Sequence, residues 1–456
     1  MRVFMLGWEF PPFISGGLGT ACYGLTKAMS ALGTDIMFVL PRPVSNPFST
    51  HLRLVSPRPG SPLASPSTEF RLDEFDHVTF RTVTAALSPY ARPEDVEAKV
   101  VAERERRASA SKGGATAVAT APTSRVGAAA GFGTAGTTSG GPGAHYAGDL
   151  FSETQRYAAL ASEIARQEQF DVVHAHDWMT FPAGLVVAGA TGKPLVIHVH
   201  STEFDRSGTN VDTRIYDIER RGMHGAMKII AVSHLTKNII VNQYGIDPSK
   251  VEVVYNAIET NGNGYDEDKY NIHKDEKIVL FLGRITYQKG PEYFLSAAKK
   301  VLEVMDNVKF VMAGSGDMIR RTIEMAASMG IGHKVLFTGF LRGGDVDKVF
   351  KMADLYVMPS VSEPFGIAPL EAMANDVPVL ISKQSGVSEV VQNALKVDFW
   401  DVNEMANKIV AVLKHPPLSA TLRQHGNFEI KRMSWTDAAK SCVSVYEQAL
   451  AGMNGR

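Results

Sequence analysis

Short apolar runs alternate with amphipathic stretches along this chain, break off once and then resume, and few architectures are written that way. A strand buried on both faces of a parallel sheet reads as an unbroken apolar run, and the helix leading to the next strand shows one apolar stripe. In the first series the strand candidates are Arg2 to Leu6, Ile36 to Leu40, Val172 to His174, Leu195 to Val199, Ile229 to Val232 and Val251 to Val254. Helical spacing falls near Thr20 to Leu32, Glu153 to Glu168 and Leu235 to Asn242. Around Leu52 to Val55 and Val78 to Val83 the pattern allows an antiparallel excursion at the sheet edge. The alternation lapses over Ile258 to Lys274, where Asn, Gly and Asp without apolar period mark a linker. It resumes with Ile278 to Leu282, Val308 to Met312, Val335 to Phe337, Leu355 to Met358 and Val379 to Ile381.

The pattern predicts an α/β protein of two doubly wound, Rossmann-like domains facing a central cleft. Their expected bounds are 1–258 and 259–432, with a last helix in 433–456 that opens on Trp435 and packs back on the first domain. A chain of 456 residues exceeds one ordinary core, which agrees with such a division. Residues 107–148 are Ala, Gly, Ser and Thr with scarcely a large apolar side chain, so burial there cannot offset the entropy of ordering, and a disordered surface insertion is expected.

Charge narrows the partners. Lys and Arg number 47 against 48 Asp and Glu, which gives no net field for nucleic acid or an anionic membrane. No apolar stretch reaches spanning length, and the start of the chain, acidic by Glu9, reads as a first strand rather than a signal peptide. Cys22 and Cys442 stand far apart in helical segments, as reduced core residues do, and a cytoplasmic home is expected. Oligomeric state is not encoded in any of these features.

In open α/β sheets ligands bind beyond the carboxyl ends of the strands, and four stretches fall there. Ser360-Val-Ser-Glu363-Pro-Phe365-Gly366-Ile367-Ala-Pro-Leu-Glu371 follows an apolar strand and opens a helix, with one carboxylate on the loop and the other inside the helix. Glu363 is expected to face the crevice and Glu371 to bond a hydroxyl. Gly283-Arg284-Ile-Thr-Tyr-Gln-Lys289-Gly290 sets a guanidinium and an ammonium on one loop, able to clamp a pyrophosphate. Gly16-Gly17-Leu18-Gly19 lies between the first strand and first helix, where glycines bring amides close to an anion. It is not G-x-G-x-x-G, and no acidic residue ends the second strand, so a nicotinamide enzyme is not expected. His174-Ala-His176-Asp177-Trp178 and His200-Ser-Thr-Glu203 end neighbouring strands. They lack the paired helical histidines of zinc hydrolases and any nearby cysteine in sequence, so no metal site is expected. His174 reads as a core residue, and His176, Asp177 and His200 as candidates to meet a sugar hydroxyl.

Taken together, Gly16-Gly17-Leu18-Gly19, His176-Asp177-Trp178, Arg284 with Lys289, and Glu363 with Glu371 eight positions on resemble the signature of retaining GT-B glycosyltransferases, close to glycogen and starch synthases. The resemblance spans nearly the whole chain apart from the insertion. It implies a nucleotide-diphosphate sugar, ADP- or UDP-glucose, as co-substrate in the second domain, a glucan or oligosaccharide acceptor in the first, and no cofactor or metal. It also implies catalytic roles for Arg284, Lys289, Glu363 and His176, and donor contacts from Gly17, Gly19, Phe340, Phe365, Gly366, Ile367 and Glu371. Asp177 and His200 would serve the sugar and acceptor side. Ser15 stands where bacterial glycogen synthases generally carry a lysine, which leaves a small sugar, sugar-phosphate or lipid-linked acceptor as the alternative, and a non-catalytic carbohydrate-binding protein as the reading of another class.

Overall fold

The computed structural model describes residues 1–11, 16–41, 76–83, 150–259 and 276–454, together with the backbone of 52–55 and 68–72. The expected insertion at 107–148 and nearly all of the expected linker lie outside the described residues.

Two sheets carry the fold. The first contains β1 (Arg2–Leu6), β2 (Asp35–Leu40), β3 (Leu52–Val55), β4 (Thr68–Leu72), β5 (Val78–Thr82), β6 (Val172–His176), β7 (Leu195–Val199), β8 (Lys228–Ala231) and β9 (Val251–Val253). Their order is β3-β4-β5-β2-β1-β6-β7-β8-β9. The seven strands from β5 to β9 are parallel, while β3 to β4 and β4 to β5 pair antiparallel, so the edge excursion is real and contains a strand, β4, that the apolar pattern does not reveal. The second sheet contains β10 (Lys277–Leu282), β11 (Val308–Ala313), β12 (Val335–Gly339), β13 (Leu355–Met358), β14 (Val379–Ser382) and β15 (Leu395–Val397), all parallel, in the order β12-β11-β10-β13-β14-β15. The short β15 has only Val397 fully buried and carries Lys396 in its middle, so its apolar run is too short to read in sequence.

Strand order decides where ligands go. From β1 the chain winds outward through β2 to β5, then returns to β6 on the other side of β1 and winds the opposite way. The same reversal separates β10 from β13 in the second sheet. At such a switch point the loops leaving two adjacent strands splay apart and open a crevice. Glu9 and the glycine loop follow β1, Asp177 follows β6, the Arg284 to Lys289 loop follows β10, and Glu363 follows β13.

Side chains fix the layers. One face of the first sheet packs Phe4, Leu6, Val173 and Ala175 against Tyr157, Ala161 and Phe181 from covering helices. On the other face Val3, Met5, Phe38 and Val172 meet Cys22, Leu25 and Met29, together with Ala439, Cys442, Val445 and Tyr446 of the terminal helix Trp435–Asn454. That helix leaves the second sheet and closes the core of the first. It fits because residue 24 is glycine: a Cβ there would stand 2.3 Å from Cε2 of Trp435. Both cysteines are buried free thiols. Among the described residues no helix is long and apolar enough to cross a membrane.

Candidate functional site

On the second lobe, β13 delivers a fully buried Leu-Tyr-Val-Met run to Pro359, and the chain then passes along the neighbouring loop rather than turning at once into a helix. The amide of Glu363 donates to the carbonyl of Gln384 at 2.9 Å, and Glu363 bridges to Ser385. This pins the backbone on both sides of the carboxylate. Glu363 Oε2 accepts from Ser360 Oγ at 3.1 Å and pairs with the Lys289 ammonium. Lys289 closes a short 3-10 turn, Tyr287–Lys289, and the next residue, Gly290, has φ +65°. A Cβ on residue 290 would lie 2.2 Å from the Pro359 carbonyl oxygen, an approach that any side chain would forbid. The two loops therefore touch only because residue 290 is glycine, and that contact carries Lys289 to Glu363.

Gly366, at φ +98°, then turns the chain into the helix Ala368–Ala374. Seven residues give a small dipole, so the positive charge at this edge comes from side chains more than from the helix end. Glu371 lies in the first turn, where burial, with the negative charge of Asp347, raises its pKa from the usual 4.5 to about 7.

On the first lobe, Glu9 supplies what sequence reasoning misses. Glu9 is 5 % exposed, and its carboxylate accepts the amides of Gly16 and Gly19. A Cβ on Gly16 would stand 2.2 Å from Glu9 Oε1. Burial raises its pKa to about 6, while the Arg284 guanidinium, arriving from the other lobe, pulls it back. The anion place at the glycine loop is thus held by a carboxylate of the chain itself. At Gly17 none of the described residues stands within 4 Å of where a Cβ would be.

Asp177, in the left-handed region at φ 59°, turns back beneath the next strand and accepts the amides of His200 at 2.7 Å and Ser201 at 3.3 Å. Burial raises its pKa to about 7 against the pull of those amides and of Arg206. His200 Nε2 lies 2.9 Å from His176 Nδ1. His176 is fully buried while His200 is half-buried, so of this pair His200 is the more accessible ring and His176 packs beneath it. Thr202 caps the helix Glu203–Ser207 in a reciprocal box with Asp205, and Asp205 Oδ1 accepts from Ser362 Oγ at 2.6 Å across the cleft. A second bond set joins the lobes where Glu389 accepts the amides of His234 and Leu235 at 2.9 and 2.8 Å, at the start of helix His234–Tyr244.

The remaining candidates divide. Phe340, just past β12, is 53 % exposed beside Arg342, an apolar surface at the sheet's carboxyl edge. Phe365 instead buries its ring in the core with Met358 and Leu370, so its side chain is a packing group and not a donor contact. Ile367 is half-buried and packs against the cores of both lobes.

The histidines also gather more closely than their spacing in sequence suggests. His174, His176 and His198 bring ring nitrogens within 4.8 Å of one another, and Cys22 approaches His176 and His200 equally well. The expectation that no cysteine stands near these histidines is therefore corrected: the helix Gly17–Ala31 lays Cys22 over the ends of β6 and β7.

The chain matches the family Glycosyl transferases group 1 over residues 265–427, Glycosyltransferase Family 4 over 82–261 and the starch synthase catalytic domain over 2–90. An uncharacterised glycosyltransferase of Methanocaldococcus jannaschii is 35 % identical over 302 residues, covering 63 % of this chain and 77 % of that one. The glycogen synthase of Mycobacterium tuberculosis is 24 % identical across 99 % of this chain and 96 % of its own. Among solved structures, the catalytic domain of starch synthase IV from Arabidopsis thaliana, bound to ADP and acarbose, superposes with a TM-score of 0.68 at 14 % identity over 99 % of both chains, a likeness of fold. The chain belongs to the GT-B glycosyltransferases, glycogen and starch synthase-like, and is a hexosyltransferase.

Proposed function

We propose that this enzyme moves glucose, with retention of configuration, from ADP- or UDP-glucose to the non-reducing end of an α-1,4-glucan. One observation carries the reading: on a single loop beside the cleft Lys289 pairs with Glu363 of the second lobe, and the charge of Arg284 acts on the buried Glu9 of the first. A cation held so against a resident anion, as Lys289 is, is already oriented, and an arriving diphosphate exchanges with that carboxylate rather than drawing a flexible side chain out of water. As the bond from the anomeric carbon to the diphosphate breaks, negative charge grows on the phosphate oxygens, and preorganised cations stabilise that state more than the ground state. The reading needs no divalent ion at the diphosphate, because the chain supplies two positive charges there.

In this mechanism Glu363, relieved of Lys289, accepts from a hydroxyl of the donor hexose, and Glu371 bonds the ribose. The exposed ring of Phe340 offers a face to the base. His200, held by Asp177 through its amide and by His176 through its ring, meets the sugar near the reacting carbon. Contacts between Ser362 and Asp205 and between Glu389 and the helix start at His234 hold the lobes together, which excludes the water that would hydrolyse the donor. The mycobacterial likeness along the whole chain supports a glucan acceptor. Ser15, in place of the lysine usual in bacterial glycogen synthases, favours the second reading, a smaller sugar or sugar-phosphate acceptor.

The test is incubation with ADP- and UDP-hexoses and a panel of acceptors: glucan, maltooligosaccharides, free sugars and sugar phosphates. Nucleoside diphosphate release with lengthened maltooligosaccharide is expected. Release with only small-sugar acceptors selects the second reading, and no transfer from any glucose donor refutes the first.

A further inference from the structure

The four histidines at the ends of β6 and β7 form a buried group whose polar atoms the sugar chemistry above leaves unexplained. His174 and His176 are two apart on one strand, His198 and His200 two apart on the next, and residues two apart project from the same face. The register pairs His176 with His198, so the rings stack on one face, with centroids of His174 and His176 4.2 Å apart and of His198 and His200 4.1 Å apart. His174 and His176 are 0 % exposed and His198 is 2 % exposed. Nε2 of His174, Nε2 of His176 and both nitrogens of His198 have no hydrogen-bond partner among the described residues. A buried polar atom without a partner has lost its water and gained nothing in return, so a cluster of them calls for an occupant.

The bonds these rings do make say which occupant fits. His174 Nδ1 lies 2.6 Å from the Tyr446 hydroxyl, on the terminal helix, and His176 Nδ1 lies 2.9 Å from His200 Nε2. In the tautomer that donates from Nδ1 to those partners, both Nε2 atoms present lone pairs to the interior. This is the outer-shell pattern of a metal-bound histidine, whose second nitrogen is fixed by an acceptor. We propose that His174, His176 and His198 bind a zinc-type divalent transition-metal ion. Three imidazole nitrogens suit such an ion better than calcium or magnesium, which take oxygen ligands. The nitrogens now span up to 4.8 Å, against about 3.3 Å between ligands on a tetrahedral ion with bonds of about 2.0–2.1 Å. Small rotations of the stacked rings close that difference. The ion lies under the floor of the cleft and reaches the terminal helix through Tyr446, so it clamps Trp435–Asn454 to the first sheet.

The experiment uses the full-length chain, stripped with chelator and reloaded with Zn2+ or Co2+, then desalted. One equivalent of metal, a visible Co2+ spectrum of tetrahedral intensity, and a rise in melting temperature reversed by chelator are expected. His198→Asn, outside the sugar site, lowers Zn2+ affinity at least tenfold, and Tyr446→Phe keeps the metal but reduces the melting shift. The Co2+ spectrum of the unaltered chain reads the site even where a variant fails to fold. Less than a tenth of an equivalent bound overturns the proposal and leaves the cluster to water. A strong thiolate charge-transfer band that Cys22→Ser abolishes also overturns it, because the ion then sits on Cys22, His176 and His200.

Discussion

Removal of the Lys289 ammonium separates its two tasks, neutralising Glu363 and stabilising a leaving diphosphate. The Lys289 side chain is 21 % exposed and that of Glu363 is 8 %, so Lys289→Met strands a nearly buried carboxylate that, among the described residues, keeps the Ser360 hydroxyl as its one donor. Breaking a buried pair from one side costs about 3–5 kcal/mol. Partial access of water and the retained hydroxyl bring the expected loss here to about 2–3 kcal/mol of stability. Adding Glu363→Gln removes the stranded charge while keeping an acceptor for Ser360, so the double variant recovers most of that loss. Turnover does not recover: loss of one preorganised donor to a developing anion costs about 10²–10³ in kcat, and the amide cannot replace an ammonium. Stability is read from urea unfolding and transfer from nucleoside diphosphate release, on the wild type, both singles and the double. A double variant that regains turnover together with stability refutes the reasoning, since Lys289 would then serve only to neutralise Glu363. One as unstable as Lys289→Met refutes the electrostatic account of the pair.

Arg284→Ala is expected to lower kcat by about 10²–10³ while the donor KM moves only a few-fold, and near-normal turnover removes Arg284 from the mechanism. Glu371 has a folded pKa of about 7 against the usual 4.5. Its protonated form is favoured on folding, so its stabilising contribution is complete below pH 4.5 and is lost as pH rises through 7, about 3 kcal/mol in all. Glu371→Gln flattens the fall in stability between about pH 5 and 8, and an unchanged slope counts against the burial argument. Ser362→Ala removes the donor to Asp205 across the cleft and should cost about 1 kcal/mol. A melting temperature equal to wild type shows that this bond does not hold the lobes.

Legibility in the sequence follows burial. Strands such as β6, β7 and β13 are enclosed on both faces, so every residue must suit the interior and the run is unbroken. At the edge, β4 is held by antiparallel neighbours on a strand of mixed polarity, Thr-Glu-Phe-Arg-Leu, and no apolar run marks it. The loops that bear Arg284, Lys289 and Glu363 are legible for the same reason as the strands before them, because a carboxyl edge is located once its strand is. Phe365 misleads because its neighbours in sequence line the cleft while its own ring turns inward to the core.

Glu9 and the histidine cluster escape for a different reason: each depends on strand order and register, which one chain's local pattern does not contain. Glu9 follows the first strand as an ordinary acidic residue until the reversal between β1 and β6 makes that strand end the edge of a cleft, and the glycine loop folds back over it. Two His-x-His pairs, 174 with 176 and 198 with 200, look like separate strand ends until β6 and β7 are known to be neighbours in the register that sets 176 beside 198. Given that adjacency, the period of two alone puts all four rings on one face. The signal is therefore present in spacing, and only pairing converts it into a site. The same logic explains why the terminal helix matters to the cleft: Tyr446 is 272 residues from His174 in sequence and within hydrogen-bond reach of it in the fold. A Gly24→Ala change, which pushes on Trp435, is therefore expected to disturb the core of the first sheet and the floor of the sugar site together, seen as a lower melting temperature with a loss of transfer.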